Sequence, residues 1–137
     1  MAENIRLEIV TPEKTVVSED AQMVVSPGAN GDFGVLVGHT PFLTTLKLGT
    51  IRYIDKNKKE RYIFVSGGFA ETLPDRVTVL AESAERRVDI DVERAQAAID
   101  RAQKRLVEKN EKIKFDMDRN NVALQRALHR IKLAGTR

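Results

Sequence analysis

The apolar residues of this chain change their spacing once, between Ala81 and Asp91, and that change limits what each stretch can fold into. Before it the period is two. Ile5, Leu7 and Ile9 alternate with Arg6 and Glu8, and Val77 and Val79 flank Thr78. Tyr62 and Phe64 share one side of an extended segment, with Ile63 and Val65 on the other. Successive side chains of a strand point to opposite faces, so these runs predict half-buried strands. Between them stand Pro12, Pro27-Gly28, Asn30-Gly31, Gly38, Pro41, Gly49, Asp55-Lys56-Asn57-Lys58, Gly67-Gly68 and Pro74-Asp75. Each supplies a turn, through positive φ at Gly or Asn or fixed φ at Pro. Short strands interrupted about every 8–12 residues predict an all-β N-terminal domain over residues 1–86, an antiparallel β-sandwich or barrel.

After Asp91 the spacing becomes helical. Val92, Ala95, Ile99, Ala102 and Leu106 form one heptad-like stripe; Met117, Asn121, Leu124, Leu128 and Ile131 form another. Each is narrow enough for one helix seam against one partner. Gly and Pro are absent between Asp91 and Ala134, and the polar stretch Lys109-Asn110-Glu111-Lys112 is the expected turn. Residues 87–137 therefore predict an α-helical antiparallel two-helix hairpin. Its seam is rich in Ala and includes Asn121, so it buries little. An isolated helix pair of that kind is marginally stable and is expected to dock or to change state.

Charge divides the chain at nearly the same place. Net charge is −1 over residues 1–87 and +4 over 88–137, and no acid follows Arg119. At about 100° per residue, Arg94, Arg101 and Arg105 line up on the first helix. Arg119, Arg126, Arg130 and Arg137 line up on the second, and both rows lie nearly opposite the apolar stripes by the same spacing. The plain reading is a pair of solvated outer faces. The functional reading is a landing strip for acidic side chains or phosphates, which the fork of a guanidinium fits. Nucleic acid is disfavoured as a partner, because no aromatic residue after Phe115 offers a stacking surface.

Several chemistries find no support. The chain has no Cys and only His39 and His129, which argues against a disulfide framework and a Cys or His metal site. No run of about 18 apolar residues predicts a membrane span, and the opening Ala2-Glu3-Asn4 does not read as a signal peptide. A soluble, intracellular protein is the expectation. Gly28, Gly31, Gly34 and Gly38 are spaced as turns, and no phosphate-binding loop signature occurs. Ser66-Gly67-Gly68 reads as a bulge or tight turn, with no His–acid pair beside it in sequence. His39 reads as a turn residue at the surface or a contact to a partner. No catalytic constellation is expected.

Three segments, taken together, resemble the epsilon subunits of bacterial F-type ATP synthases. One runs Gly31-Asp32-Phe33-Gly34-Val35-Leu36 and continues Gly38-His39-Thr40-Pro41-Phe42-Leu43. A second is Ser66-Gly67-Gly68-Phe69, continuing to Pro74-Asp75-Arg76-Val77-Thr78-Val79-Leu80-Ala81. The third is Ala84-Glu85-Arg86 followed by Ile90-Asp91-Val92-Glu93-Arg94-Ala95. The resemblance implies a non-catalytic rotor subunit of the proton-translocating enzyme, coupling proton flow to ATP synthesis. Its sandwich would bind the gamma subunit and the c ring. Its mobile hairpin would inhibit ATP hydrolysis by facing acidic segments of the beta and alpha subunits. Asp32, His39, Arg119, Arg126 and Arg130 are the candidate partner contacts, and the expected place is peripheral, on the cytoplasmic face of a bacterial plasma membrane. No cofactor is required.

In some relatives the folded hairpin binds ATP as a regulatory ligand, through an Ile/Leu-Asp-x-x-Arg-Ala motif that Ile90, Asp91, Arg94 and Ala95 match. The resemblance adds Glu85 upstream and Arg101, Arg126 and Arg130 near the phosphates. Asp91 has a second reading as the cap of the first helix. The alternatives are a stand-alone ATP-responsive binding module and, more weakly, a basic nucleic-acid-binding protein.

Overall fold

In the computed structural model, residues 4–107 and 117–137 are described. The chain divides into two compact units, Met1–Arg87 and Val88–Arg137. The first holds nine strands: β1 (Ile5–Val10), β2 (Thr15–Gly28), β3 (Gly31–Leu36), β4 (Phe42–Leu46), β5 (Gly49–Asp55), β6 (Glu60–Val65), β7 (Gly68–Leu73), β8 (Arg76–Ala81) and β9 (Ala84–Arg86). They run in the order β1-β8-β7-β4-β2-β5-β6-β9, with β3 paired to β2 and β1 also paired to β2.

The period-two runs become strands whose alternate residues are buried. Ile5, Leu7 and Ile9 of β1, Ile51 and Tyr53 of β5, and Val77 and Val79 of β8 are fully buried and pack in one core with Val17, Val24, Val35 and Ile63. Each large aliphatic side chain removed from water stabilises the fold by roughly 1.5–3 kcal/mol. β6 departs from strict alternation: Ile63, Phe64 and Val65 are all buried.

Two features differ from the expected pattern of short antiparallel strands. β2 has 14 residues, with no break at the usual interval. It pairs with β1 over Thr15–Ala21, then with β5 and β3 beyond, and its register with β5 shifts between Ala21 and Met23. One long strand thereby serves two layers, the bulge giving the bend. The other difference is that β1 runs parallel to β8, from Arg6 opposite Arg76 to Val10 opposite Leu80. Strands far apart in sequence pair in either direction, since no hairpin dictates the sense.

The turns follow the residues. Gly67 and Gly68 have φ of 125° and 138°, and a Cβ on Gly68 would lie 2.1 Å from the Leu80 carbonyl oxygen. Only glycine fits there. Ser66 completes the turn: the Ser83 hydroxyl donates to its Oγ at 2.7 Å, and the Ser83 N–H does so at 3.1 Å. The β5–β6 turn is held by the buried Asp55. Its carboxylate accepts from the N–H groups of Asn57 (2.8 Å) and Lys59 (3.0 Å) and from Arg61 Nε (3.1 Å). The Lys59 N–H leads in holding this carboxyl below its usual range, burial opposes it, and Arg61 adds to the lowering.

The second unit contains α1 (Val92–Val107) and α2 (Met117–Ala134), preceded by a single 3₁₀ turn at Arg87–Asp89. They form an antiparallel hairpin. Asn120, near the start of α2, donates its amide to the Ala102 carbonyl at 3.0 Å. At the other end, Arg137 NH1 donates to the carbonyl of Ile90 at 3.1 Å. The turn expected at Lys109–Lys112 lies outside the described residues.

The α1 seam is narrower than the expected stripe: Ala95, Ile99 and Ala102 are buried, while Val92 and Leu106 are each 39% exposed. On α2 the expected stripe is corrected. Asn121 is exposed and Leu128 is 41% exposed, whereas Asn120, Ala127 and Ala134 are buried. The contact stripe runs Asn120, Leu124, Ala127, Ile131 and Ala134, a rotation of about 60° at 100° per residue. Both stripes have heptad spacing. The one used places small Ala side chains opposite those of α1 and gives the Asn120 amide a carbonyl, which Asn121 could not reach from its side of the helix.

Candidate functional site

The motif residues at the start of the hairpin are placed by helix chemistry. The first intrahelical bond of α1 runs from the Ala95 N–H to the Asp91 carbonyl at 3.0 Å. Asp91 Oδ1 accepts from the Arg94 N–H, also at 3.0 Å, so Asp91 is the N-cap. The capping reading of Asp91 therefore holds. Its charge also suits the positive end of the helix dipole. Ile90 and Ala95 are buried, and Arg94 and Arg101 project from exposed positions without an ion pair among the described residues.

The arginines of α2 sit differently from expectation. With the seam rotated, Arg126 and Arg130 flank the contact stripe instead of opposing it, and both are half-buried; Arg119 is exposed. The Arg126 Nε is buried and has no hydrogen-bond partner, and the Asn120 Oδ1 is in the same condition. Buried polar atoms are nearly always paired; these two lie six residues apart on different sides of α2. Close by on α2, burial leads in pulling His129 below its usual pKa, and Lys132 adds to the shift.

Glu85 lies on β9 in the first unit, whereas Ile90, Asp91, Arg94, Ala95, Arg101, Arg126 and Arg130 belong to the second.

Asp32 and His39 are not brought together. Asp32 is exposed near the start of β3, opposite Pro27. His39 follows the other end of that strand. Its Nδ1 is 2.8 Å from the Thr40 carbonyl, and its ring lies 5.2 Å from that of Phe42, tilted by 58°; Phe42 in turn meets Phe33 edge-on at 5.0 Å. The loop carrying it is tied to the β7–β8 turn, where the Gly38 N–H donates to the Pro74 carbonyl at 2.8 Å.

Two features were not found from sequence. One is an apolar patch on the outer face of β4, β7 and β8. Phe69 stands opposite both Thr45 and Leu80, and Leu43 follows two residues along β4 on that side. Leu43 is 69% exposed, Leu80 57% and Phe69 54%. Contiguous exposed apolar surface of this kind marks an interface. The signal was present in Val79-Leu80-Ala81, where an apolar residue occupies the outward position of an alternating strand. The other feature joins Glu19, Tyr53 and Arg86, residues far apart in sequence. The Tyr53 hydroxyl donates to Glu19, and Arg86 NH1 lies 3.4 Å from that hydroxyl and 3.8 Å from the Glu19 carboxylate. Burial and the bond to Glu19 push the Tyr53 phenol up to about 12, against the opposing charge of Arg86. No local pattern announces such a cluster.

Both units have counterparts among known proteins. Residues 4–87 match the model for the beta-sandwich domain of the ATP synthase Delta/Epsilon chain. Residues 89–135 match that for its long alpha-helix domain. The chain is 58% identical to the ATP synthase epsilon chain of Desulforapulum autotrophicum over 137 residues, 100% of each chain. It is 67% identical to that of Desulfosudis oleivorans over 106 residues, 77% of this chain and 80% of the relative. A chain in the cryo-EM structure of the Euglena gracilis mitochondrial ATP synthase (OSCP/F1/c-ring, rotational state 1) shares the fold. It has a TM-score of 0.77 and 20% identity, covering 100% of this chain and 84% of that one.

Proposed function

The chain belongs to the delta/epsilon chain family of ATP synthase, and from that membership we propose how its two units divide the work of a rotor subunit. It is a non-catalytic part of the central stalk of F1, serving ATP synthesis and the ion transport coupled to it. It is held at the membrane peripherally, through the complex; no described helix is long and apolar enough to cross a membrane. The face on which it works is the cytoplasmic one, and the coupling ion is the proton.

The sandwich is the fixed unit and the hairpin the regulatory one. The apolar patch of Leu43, Phe69 and Leu80 docks on gamma, burying surface that the isolated chain leaves in water. Asp32, at the opposite end of β3 from His39, faces the c ring. The hairpin restrains ATP hydrolysis by presenting Arg119, Arg126 and Arg130 to acidic segments of the beta and alpha subunits. The observation that carries this division is the contrast in burial: a continuous core of large side chains in the first unit, and a seam of mostly small ones in the second.

Two measurements test it. Phe69→Glu together with Leu80→Glu places charge on the patch, and stoichiometric co-purification with gamma should be lost; retention by a folded variant removes the patch from the interface. Replacing Arg119, Arg126 and Arg130 by Ala should raise hydrolysis by the assembled enzyme, and salt should act in the same direction on the wild type. Unchanged hydrolysis ends the electrostatic restraint.

ATP as a regulatory ligand of the hairpin is a second reading, favoured by the orphaned Arg126 Nε. Arg94 and Arg101 of α1, with Arg126 and Arg130 of α2, would supply charge-assisted donors to phosphate, while Asp91 would keep one carboxylate oxygen for an amino donor. A ligand that binds only the folded hairpin stabilises it by mass action. Calorimetry with ATP and Mg²⁺ should give a binding isotherm that Arg126→Ala weakens. No heat at millimolar ATP reduces Ile90–Ala95 to a helix start.

A further inference from the structure

β9 is three residues long and, among the described residues, pairs only with β6, yet it is the last strand before the chain leaves the sandwich. A strand that short at an edge has too few ladder bonds to resist a pull on the chain that follows it. Its terminal residue carries the remedy. The Arg86 backbone pairs with Ile63 of β6, while its side chain reaches past that neighbour to two other strands. Nε donates to the Val16 carbonyl of β2 at 3.3 Å. NH1 donates to the Tyr53 hydroxyl of β5 at 3.4 Å and lies 3.8 Å from Glu19 of β2. The Tyr53 hydroxyl itself donates to Glu19, which closes the group. Tyr53 is fully buried and the Arg86 side chain is only one-third exposed, so water competes weakly for these bonds. The next residue, Arg87, stacks over the Tyr62 ring at 4.2 Å, and the division between the units falls directly after it.

We propose that Arg86, gripped by Val16, Glu19 and Tyr53, is the mechanical end of the sandwich. The joint on which the hairpin moves then begins at Val88, directly after Arg87, and β9 stays paired to β6 throughout. The arrangement confines motion to residues 88–90. It keeps rearrangement of the hairpin from unzipping the sheet edge. The inference rests on the reading of the hairpin as the moving unit, but its first test does not.

Hydrogen exchange on the full chain in solution is that test. The β9 amides bonded to β6 should exchange as slowly as their β6 partners, with a sharp rise from Val88 onward. Arg86→Met keeps the aliphatic stem and removes every donor; it should speed β9 exchange at least tenfold and leave Ile51 and Ile63 unchanged. Tyr53→Phe should have a smaller effect of the same kind. Fast β9 exchange in the wild type, or unchanged exchange in Arg86→Met, overturns the anchor. A second arm uses the assembled enzyme. The chain lacks Cys, so Val65→Cys with Ala84→Cys forms a single staple between paired positions of β6 and β9. The oxidised and reduced forms should hydrolyse ATP at equal rates. A rate that changes on oxidation shows that β9 must peel away, and sinks the proposal. Should the arginine variants of the hairpin leave hydrolysis unaltered, the regulatory reading falls, while slow exchange up to Arg86 still upholds the anchor.

Discussion

The sandwich and the hairpin solve the same problem with very different reserves. Seven of the nine strands place Ile, Leu, Val or Tyr into one core, and β7 and β9 add Ala70 and Ala84, so each contact is backed by many others. The hairpin closes on Ala95, Ile99 and Ala102 against Asn120, Ala127 and Ala134, and one of those six carries an unpaired buried oxygen. Hydrophobic stabilisation scales with apolar area removed from water, and alanine offers little. The comparison teaches where a rotor subunit can keep a changeable state. One unit is closed by many large side chains and the other by few, mostly small ones, so under the proposed function a ligand or an acidic partner would have little packing to overcome.

The largest expected difference is in the cores. Leu7→Ala should lower sandwich stability by about 2–5 kcal/mol in urea, while Ile99→Ala should affect only the helical signal. Loss of the sandwich transition in Ile99→Ala would break the comparison, because it would make the units one cooperative body.

A smaller effect sharpens it. Asn120→Leu removes the orphaned Oδ1 and adds apolar surface to the seam. It should raise the melting temperature of the hairpin, a gain of about 1–3 kcal/mol, the usual penalty of an unpaired buried polar atom. A lower melting temperature would show that the bond from Asn120 to the Ala102 carbonyl outweighs the orphan.

The two units should also respond differently to pH, the hairpin failing before the sandwich in acid and the sandwich alone carrying the alkaline loss from Tyr53. His129 is held neutral by burial, so its folded form binds a proton less readily than its unfolded form. Hairpin stability is then complete above the ordinary histidine range and falls as pH drops below about 6.5. Tyr53 has the reverse sign. Its phenol holds its proton up to about 12, so the sandwich loses stability as pH rises from the ordinary tyrosine value of 10.0 towards that figure. Circular dichroism during pH titration should show helix lost first in acid, with the alkaline loss in the strands. His129→Gln should abolish the acid-side change in the hairpin, and its persistence would assign it elsewhere.

The smallest expected effect is at the helix start. Asp91→Asn keeps a competent cap and should change hairpin stability by less than about 0.5 kcal/mol, whereas Asp91→Ala should cost about 1 kcal/mol. Equal losses from both would mean that the charge of Asp91, more than its hydrogen bond to Arg94, supports α1.

By itself the sequence determined the division into a β unit and a helical unit. Alternation in Ile5–Ile9 and Val77–Val79 and heptad spacing after Asp91 are local geometric constraints, and each survives whatever the rest of the chain does. It also determined the turn at Ser66-Gly67-Gly68 and the cap at Asp91, where backbone conformation and a single side chain decide the outcome. Tertiary structure decided the remainder. Two heptad stripes compete on α2, and only the presence of Ala95 and Ala102 opposite selects the one through Asn120 and Ala127. That choice turns Arg126 and Arg130 from an outer face to the flanks of the seam. The parallel pairing of β1 with β8, the outward row of Leu43, Phe69 and Leu80, and the grip of Glu19 and Tyr53 on Arg86 all join residues far apart along the chain. A periodicity describes which face a residue takes. It carries no information about which distant face will cover it, because that depends on the packing of the whole.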